Sequence, residues 1–338
     1  MKRARDLQFN HHPRLATAIH LLFAVAVAAT TRPLDAQQTG RRVASRPEFG
    51  RVADAMLMAD DRVVVLDLQD QRVWYLDAEG RTVATAGRRG AGPGEFLLTE
   101  RLLRMDDSTV GVIDRRNARL TSIRVRRDTL FAIGSTPYSP TAEEACLLGG
   151  EHILAMPDVA KGHQLTRARP DGTALGTFAP ITLPDGPPLL REAHLRASIG
   201  CLEERNAIVT AAAWHPVVRS FDRTGRTLWE STLPAFRPVR IEATSDGGRR
   251  FTYRPDGNSL TTRVLPNGRD TVVVLAQIFW VGPPADTATV IGARYDLDAA
   301  TGRVLRVREG TERLLDMRNG MEAVMTEDPE PIVRIRRR

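Results

Sequence analysis

Four histidines beyond residue 36, His152, His163, His194 and His215, are the side chains best suited to proton transfer or metal ligation in this sequence. A zinc site gathers three or four such donors at one point. No His-Glu-x-x-His spacing joins any two of them, and neither Gly-x-Ser-x-Gly nor Ser-x-x-Lys occurs. His152 and His215 flank strand-like runs, so a metal pair is one reading. Four unrelated loop histidines is the other. Asp67 and Asp114 end two similar apolar runs, VVVLD and VGVID. They could line a channel as carboxylates for a cation or for acid–base work. They could equally cap turns by accepting local backbone N–H groups. Recurrence at matching positions favours caps, since a catalytic residue should break a repeat rather than follow it.

Two further groups could bind without reacting. Trp214-His215-Pro216 sits at a corner between strand-like runs, and an exposed indole there could stack on a sugar; Trp74, Trp229 and Trp280 compete for that role. Packing between sheets is the plainer use of all four. Arg249 and Arg250, with Arg237, Arg240 and Arg254, form the one local basic concentration. It could meet an anionic partner or be a solvated loop. Glycines 87, 90, 92 and 94 suggest a phosphate loop. However, no helix pattern follows them and no Gly-Lys-Ser/Thr is present. They read as a connector whose Phe96 docks on a core.

The elements that must position these residues repeat. Residues 72–86 alternate as two short strands around Asp77-Ala-Glu-Gly80, a turn in which glycine supplies positive φ. Similar turns recur at 170–172, 222–225 and 298–302. Upstream of the hairpins, Met56, Leu103, Cys146, Cys201 and Met317 each precede a β-branched residue by seven positions. Four antiparallel strands every 40–55 residues is the pattern of propeller blades. The blades fall at about 54–86, 101–134, 143–178, 198–231, 260–308 and 313–336, with an insertion at 236–258. The last shows three strands. Residues 40–46 resemble 80–86 and could supply the fourth, pairing the chain ends and closing the ring.

The Asp-x-x-Gly turns, six blades and the Gly-x-Gly-Pro-Gly-Glu-Phe link resemble NHL-type six-bladed β-propellers of secreted bacterial proteins. That resemblance implies a central channel with loops at its mouth and a binding or scaffolding role. Some related propellers are enzymes. The expected fold is therefore an all-β, six-bladed propeller in one domain, 37–338. Its expected partner is a protein, peptide or glycan, met by a monomeric chain without a cofactor. The alternative is a hydrolase, lyase or lactonase holding Ca²⁺ or Zn²⁺ in the channel.

Residues 1–36 carry a basic start, an apolar stretch and a small residue, Ala36, where cleavage would occur, as in a secretory leader. No later stretch is apolar enough to span a membrane, so the expectation is a periplasmic or secreted protein. Losing 1–36 removes five basic and two acidic residues and lowers the net charge from +7 to +4. Charges of both signs are interspersed, which argues against nucleic-acid binding. An oxidising compartment permits a Cys146–Cys201 disulfide if both occupy one position of adjacent repeats; two separate thiols is the other reading.

Overall fold

Apolar runs such as VVVLD and AIVTAA bury every residue, because the middle strands of a blade are covered by neighbouring blades on both faces. The computed structural model, which describes residues 49–280, 291–326 and 331–337, arranges such strands as a six-bladed propeller. Blade 1 is β1 (Val52–Leu57), β2 (Val63–Asp67), β3 (Arg72–Leu76) and β4 (Thr82–Ala86). Blade 2 is β5 (Thr99–Arg104), β6 (Thr109–Asp114), β7 (Arg119–Arg126) and β8 (Thr129–Pro137). Blade 3 is β9 (Ala145–Leu148), β10 (Glu151–Leu154), β11 (His163–Ala168) and β12 (Ala174–Pro180). Helix α1 (Pro188–Leu195) then leads to blade 4: β13 (Ala197–Leu202), β14 (Ala207–Ala212), β15 (Val217–Asp222) and β16 (Thr227–Thr232). The insertion folds as a separate two-stranded hairpin, β17 (Arg240–Ala243) and β18 (Arg249–Thr252). Blade 5 is β19 (Asn258–Asn267), β20 (Thr271–Phe279), β21 (Ile291–Asp298) and β22 (Val304–Gly310). Blade 6 is β23 (Arg313–Arg318), β24 (Met321–Thr326) and β25 (Ile332–Arg337).

Each blade is an antiparallel meander, four-stranded in five cases and three-stranded in the sixth among the described residues. The closing strand expected at 40–46 and the leader expected at 1–36 lie outside the described residues. Six apolar clusters join consecutive blades. One packs Leu315, Ala323 and Met325 of blade 6 against Ala55, Leu57 and Val65 of blade 1, and so closes the ring. Among the described residues the joint between blades 5 and 6 is the smallest, with Leu265, Val273, Leu275 and Met317 buried.

Strand alternation gives the ring two unlike faces. The tight Asp-x-x-Gly turns lie on one, here the lower face. The blade-to-blade links, including α1 and β17–β18, lie on the other, the upper face. The first link packs by glycine: Phe96 is fully buried, and a Cβ at Gly87 would come within 2.3 Å of its ring at a φ of +88°. Gly87→Ala should therefore cost about 2–4 kcal/mol, from backbone strain plus overpacking. A urea midpoint unchanged from wild type would disprove this packing.

Candidate functional site

Four of the six innermost strands carry a β-bulge, and each bulge immediately precedes a charged residue. The register slips between Val52 and Asp54, Thr99 and Arg101, Thr261 and Arg263, and Leu314 and Asp316. A bulge re-aims the side chain that follows it, and these four meet at the ring axis. Asp54 of blade 1 pairs with Arg263 of blade 5 across the channel. Arg101 of blade 2 pairs with Glu144, just before β9, at 3.0 Å and donates to the Thr262 carbonyl at 3.0 Å. Arg104 pairs with Asp316 at 2.7 Å. Each carboxylate also accepts a backbone N–H from the next blade: Asp54 from Leu102 at 2.9 Å, Glu144 from Ile199 at 2.9 Å, and Asp316 from Leu57 at 2.7 Å. Burial pushes the Glu144 carboxyl above its ordinary range, opposed by the Arg101 guanidinium and the Ile199 N–H.

This lattice divides the channel. Above it lies a basin of about 400 Å³ to which all six blades contribute, and below it a cavity of about 440 Å³; Arg101 and Glu144 border both. In the basin, Glu100 pairs with Arg115 at 3.1 Å and Glu143 with Arg196 at 2.5 Å. With Arg101–Glu144 also paired, Arg51 stands exposed at the lining. Three polar atoms at its wall are buried without a partner: Arg196 Nε, Trp214 Nε1 and Thr261 Oγ1. Ala213 holds them together, donating to the Arg196 carbonyl at 2.9 Å and accepting from Thr261 N–H at 3.0 Å.

Aromatic side chains continue outward from Trp214. Its ring lies 5.4 Å from Phe251 on β18; Tyr253 follows at 6.5 Å and Phe279 at 6.0 Å beyond that. Arg249 covers the Phe251 ring and donates to the Leu189 carbonyl of α1 at 3.1 Å, tying hairpin to helix. His194 of α1 stacks on His215 with centroids 4.3 Å apart. Burial, then the neighbouring His194 and Arg219, push His215 down to about 4; burial also lowers His194. The unfolded chain therefore binds the proton first, and stability falls as pH drops from about 6.5 towards 4. We expect His215 to account for about 2 kcal/mol of that loss, allowing for partial exposure. Urea unfolding at both ends of the window checks this. His215→Asn should show the smaller pH dependence, and equal losses would remove His215 as the source.

The sequence-derived candidates separate into two groups. Trp214, His215 and Arg249 come together at one corner of the upper face, with Arg250 exposed beside them on β18. Asp67 and Asp114 are fully buried turn caps rather than channel carboxylates. Asp67 accepts from Gly50, Arg51 and Gln69 N–H, and Asp114 from Leu98 and Asn117 N–H. The His152–His215 metal pair does not form: His152 is buried in β10, and His215 is stacked on His194. Among the described residues, no three His, Cys, Asp or Glu side chains are grouped to hold a metal ion. The insertion is less basic than its composition, because Arg240 and Arg254 pair with Glu242 and Asp256. Cys146 and Cys201 are joined as a disulfide between β9 and β13 at the lower cavity.

No protein-family model matches this sequence, and no curated protein matches it. Solved structures do resemble it. A member of the DUF4221 family from Bacteroides vulgatus superposes with a TM-score of 0.56 at 11% identity, over 90% of this chain and 96% of that one. A candidate exported protein from Bacteroides fragilis gives 0.55 at 9% identity, over 84% and 82%. A streptogramin B lyase gives 0.47 at 11% identity, over 87% and 95%. Among the described residues no helix is long and apolar enough to cross a membrane. At these identities the likeness concerns the fold alone, and it agrees with the strand topology in identifying the chain as a six-bladed β-propeller.

Proposed function

We propose that this chain is a secreted, non-catalytic binding propeller that takes its ligand in the upper basin. The observation that carries this reading is the one-sidedness of the ring. Both elements that break the repeat, α1 and β17–β18, lie on the upper face, beside a basin bordered by the exposed Arg51. Loops on a rigid scaffold are where binding surfaces arise, and a concave site of this volume is of ligand size. The metal-dependent alternative needs at least three converging donors, which the described residues lack.

A thermal-shift screen of saccharides, organic acids and acidic peptides tests the reading. We expect a stabilising hit that Arg51→Glu abolishes and that Arg269→Glu, on the lower rim, leaves intact. The opposite sensitivity would move the site to the other face and overturn the proposal. So would a stoichiometric metal found by elemental analysis of the purified protein.

A further inference from the structure

We infer that β18 and the first turn of α1 form a docking surface for an acidic segment of a partner protein, one that also carries apolar side chains. Eight large apolar side chains are exposed among the described residues. Five of them, Ile133, Leu175, Leu228, Leu305 and Val307, are spread over the outermost strands of four blades, as scattered surface residues are. The other three are Leu189 on α1, Tyr253 just past β18 and Trp280 just past β20. These do not stand singly. Arg249 donates to the Leu189 carbonyl at 3.1 Å, and its guanidinium lies 5.5 Å from the centre of the Phe251 ring. Tyr253 follows 6.5 Å beyond Phe251, and Phe279, which precedes Trp280, lies 6.0 Å beyond Tyr253. Aromatic rings with arginine among them are the composition of protein-binding hot spots.

Charge then selects the partner. In the insertion, Arg240 and Arg254 are paired with Glu242 and Asp256. Arg249 and Arg250 have no carboxylate partner among the described residues, and Arg250 is exposed. A partner carboxylate is the matching group. Glu242, Asp246 and Asp256 stand in the same insertion and would repel a dense polyanion such as a nucleic acid or an anionic membrane, so an acidic protein segment is the better match. Phe251, Tyr253 and Phe279 do not border the upper basin, so this surface is separate from the site proposed above and does not depend on it.

Fluorescence anisotropy on the full-length protein tests this with a labelled peptide of glutamates and leucines. The controls replace its glutamates by lysines or its leucines by serines; single-stranded DNA and phosphatidylserine-containing vesicles compete. We expect the glutamate–leucine peptide to bind about tenfold or more tightly than either control. Arg250→Glu and Tyr253→Ser should each weaken it about tenfold. Arg250→Glu should leave the melting temperature unchanged, because its side chain is exposed and unpaired. Leu305→Ser on β22 and Arg51→Glu in the basin should leave peptide binding intact. Equal binding of a control peptide, preference for DNA or vesicles, no binding at millimolar peptide, equal loss in Leu305→Ser, or insensitivity to Arg250→Glu and Tyr253→Ser would each overturn the inference. Binding lost in Arg51→Glu but kept in Arg250→Glu would place the peptide in the basin, overturning this surface while supporting the basin reading.

Discussion

Asp54→Asn should destabilise the ring by about 3–5 kcal/mol, the cost of leaving one member of a buried pair without its partner. Asp54 is 1% exposed, and its carboxylate holds Arg263 while accepting the Leu102 N–H at 2.9 Å. Asparagine keeps one acceptor but removes the charge, so the buried Arg263 guanidinium loses its ion-pair partner. Arg263→Met should cost a similar amount for the mirror-image reason. The double variant should recover much of the loss, because neither charge is then left buried without its partner. Urea midpoints for the four proteins give the coupling energy. A coupling below about 0.5 kcal/mol would mean that the two charges act independently, and the lattice described above would be wrong.

Removing the Cys146–Cys201 bond should cost about 4 kcal/mol, since it closes a loop of 55 residues in the unfolded chain. The bond ties the innermost strands of blades 3 and 4, which also share a cluster containing Ile153, Leu165, Ile208 and Phe221. The blades should therefore stay together at room temperature while the unfolding midpoint falls. Comparing wild type with Cys146→Ala/Cys201→Ala in urea, with no reductant present, measures the effect. Titrating thiols in unreduced, denatured wild-type protein checks the premise. Two free thiols per chain would contradict it.

The ring was legible in the sequence because its middle strands must be apolar on both sides and its turns need Asp and Gly at fixed offsets. Phe96 was legible as an anchor for the same kind of reason: one large apolar residue closes a run that cannot be regular. The Trp214-His215-Pro216 corner was legible as a break between strands because proline gives no N–H to a ladder. The ion lattice was not. Ala53, Glu100, Thr262 and Leu315 interrupt the two-residue alternation at the bulges, so the charges after them read as outward-facing positions. Their partners lie on other blades, beyond the reach of any local pattern. The stacking of His194 on His215 was hidden similarly, since it needs α1 to fold back. Pro187-Pro188 ahead of Leu190, Ala193 and Leu195 was the available signal for that helix.

A closed ring has no end from which to fray, so its thinnest joint decides where it first parts. Among the described residues that joint is the one between blades 5 and 6. There four buried apolar side chains are supplemented by Arg294, which links Asp296 to Glu322. Parting there exposes less apolar surface than parting elsewhere and has the smallest opening free energy. Amide protons of β23, which borders that joint, should exchange with solvent earlier than those of β14, whose every residue is buried. Solvent, and any solute small enough to follow it, thus has a lateral route to the axis that passes through neither mouth.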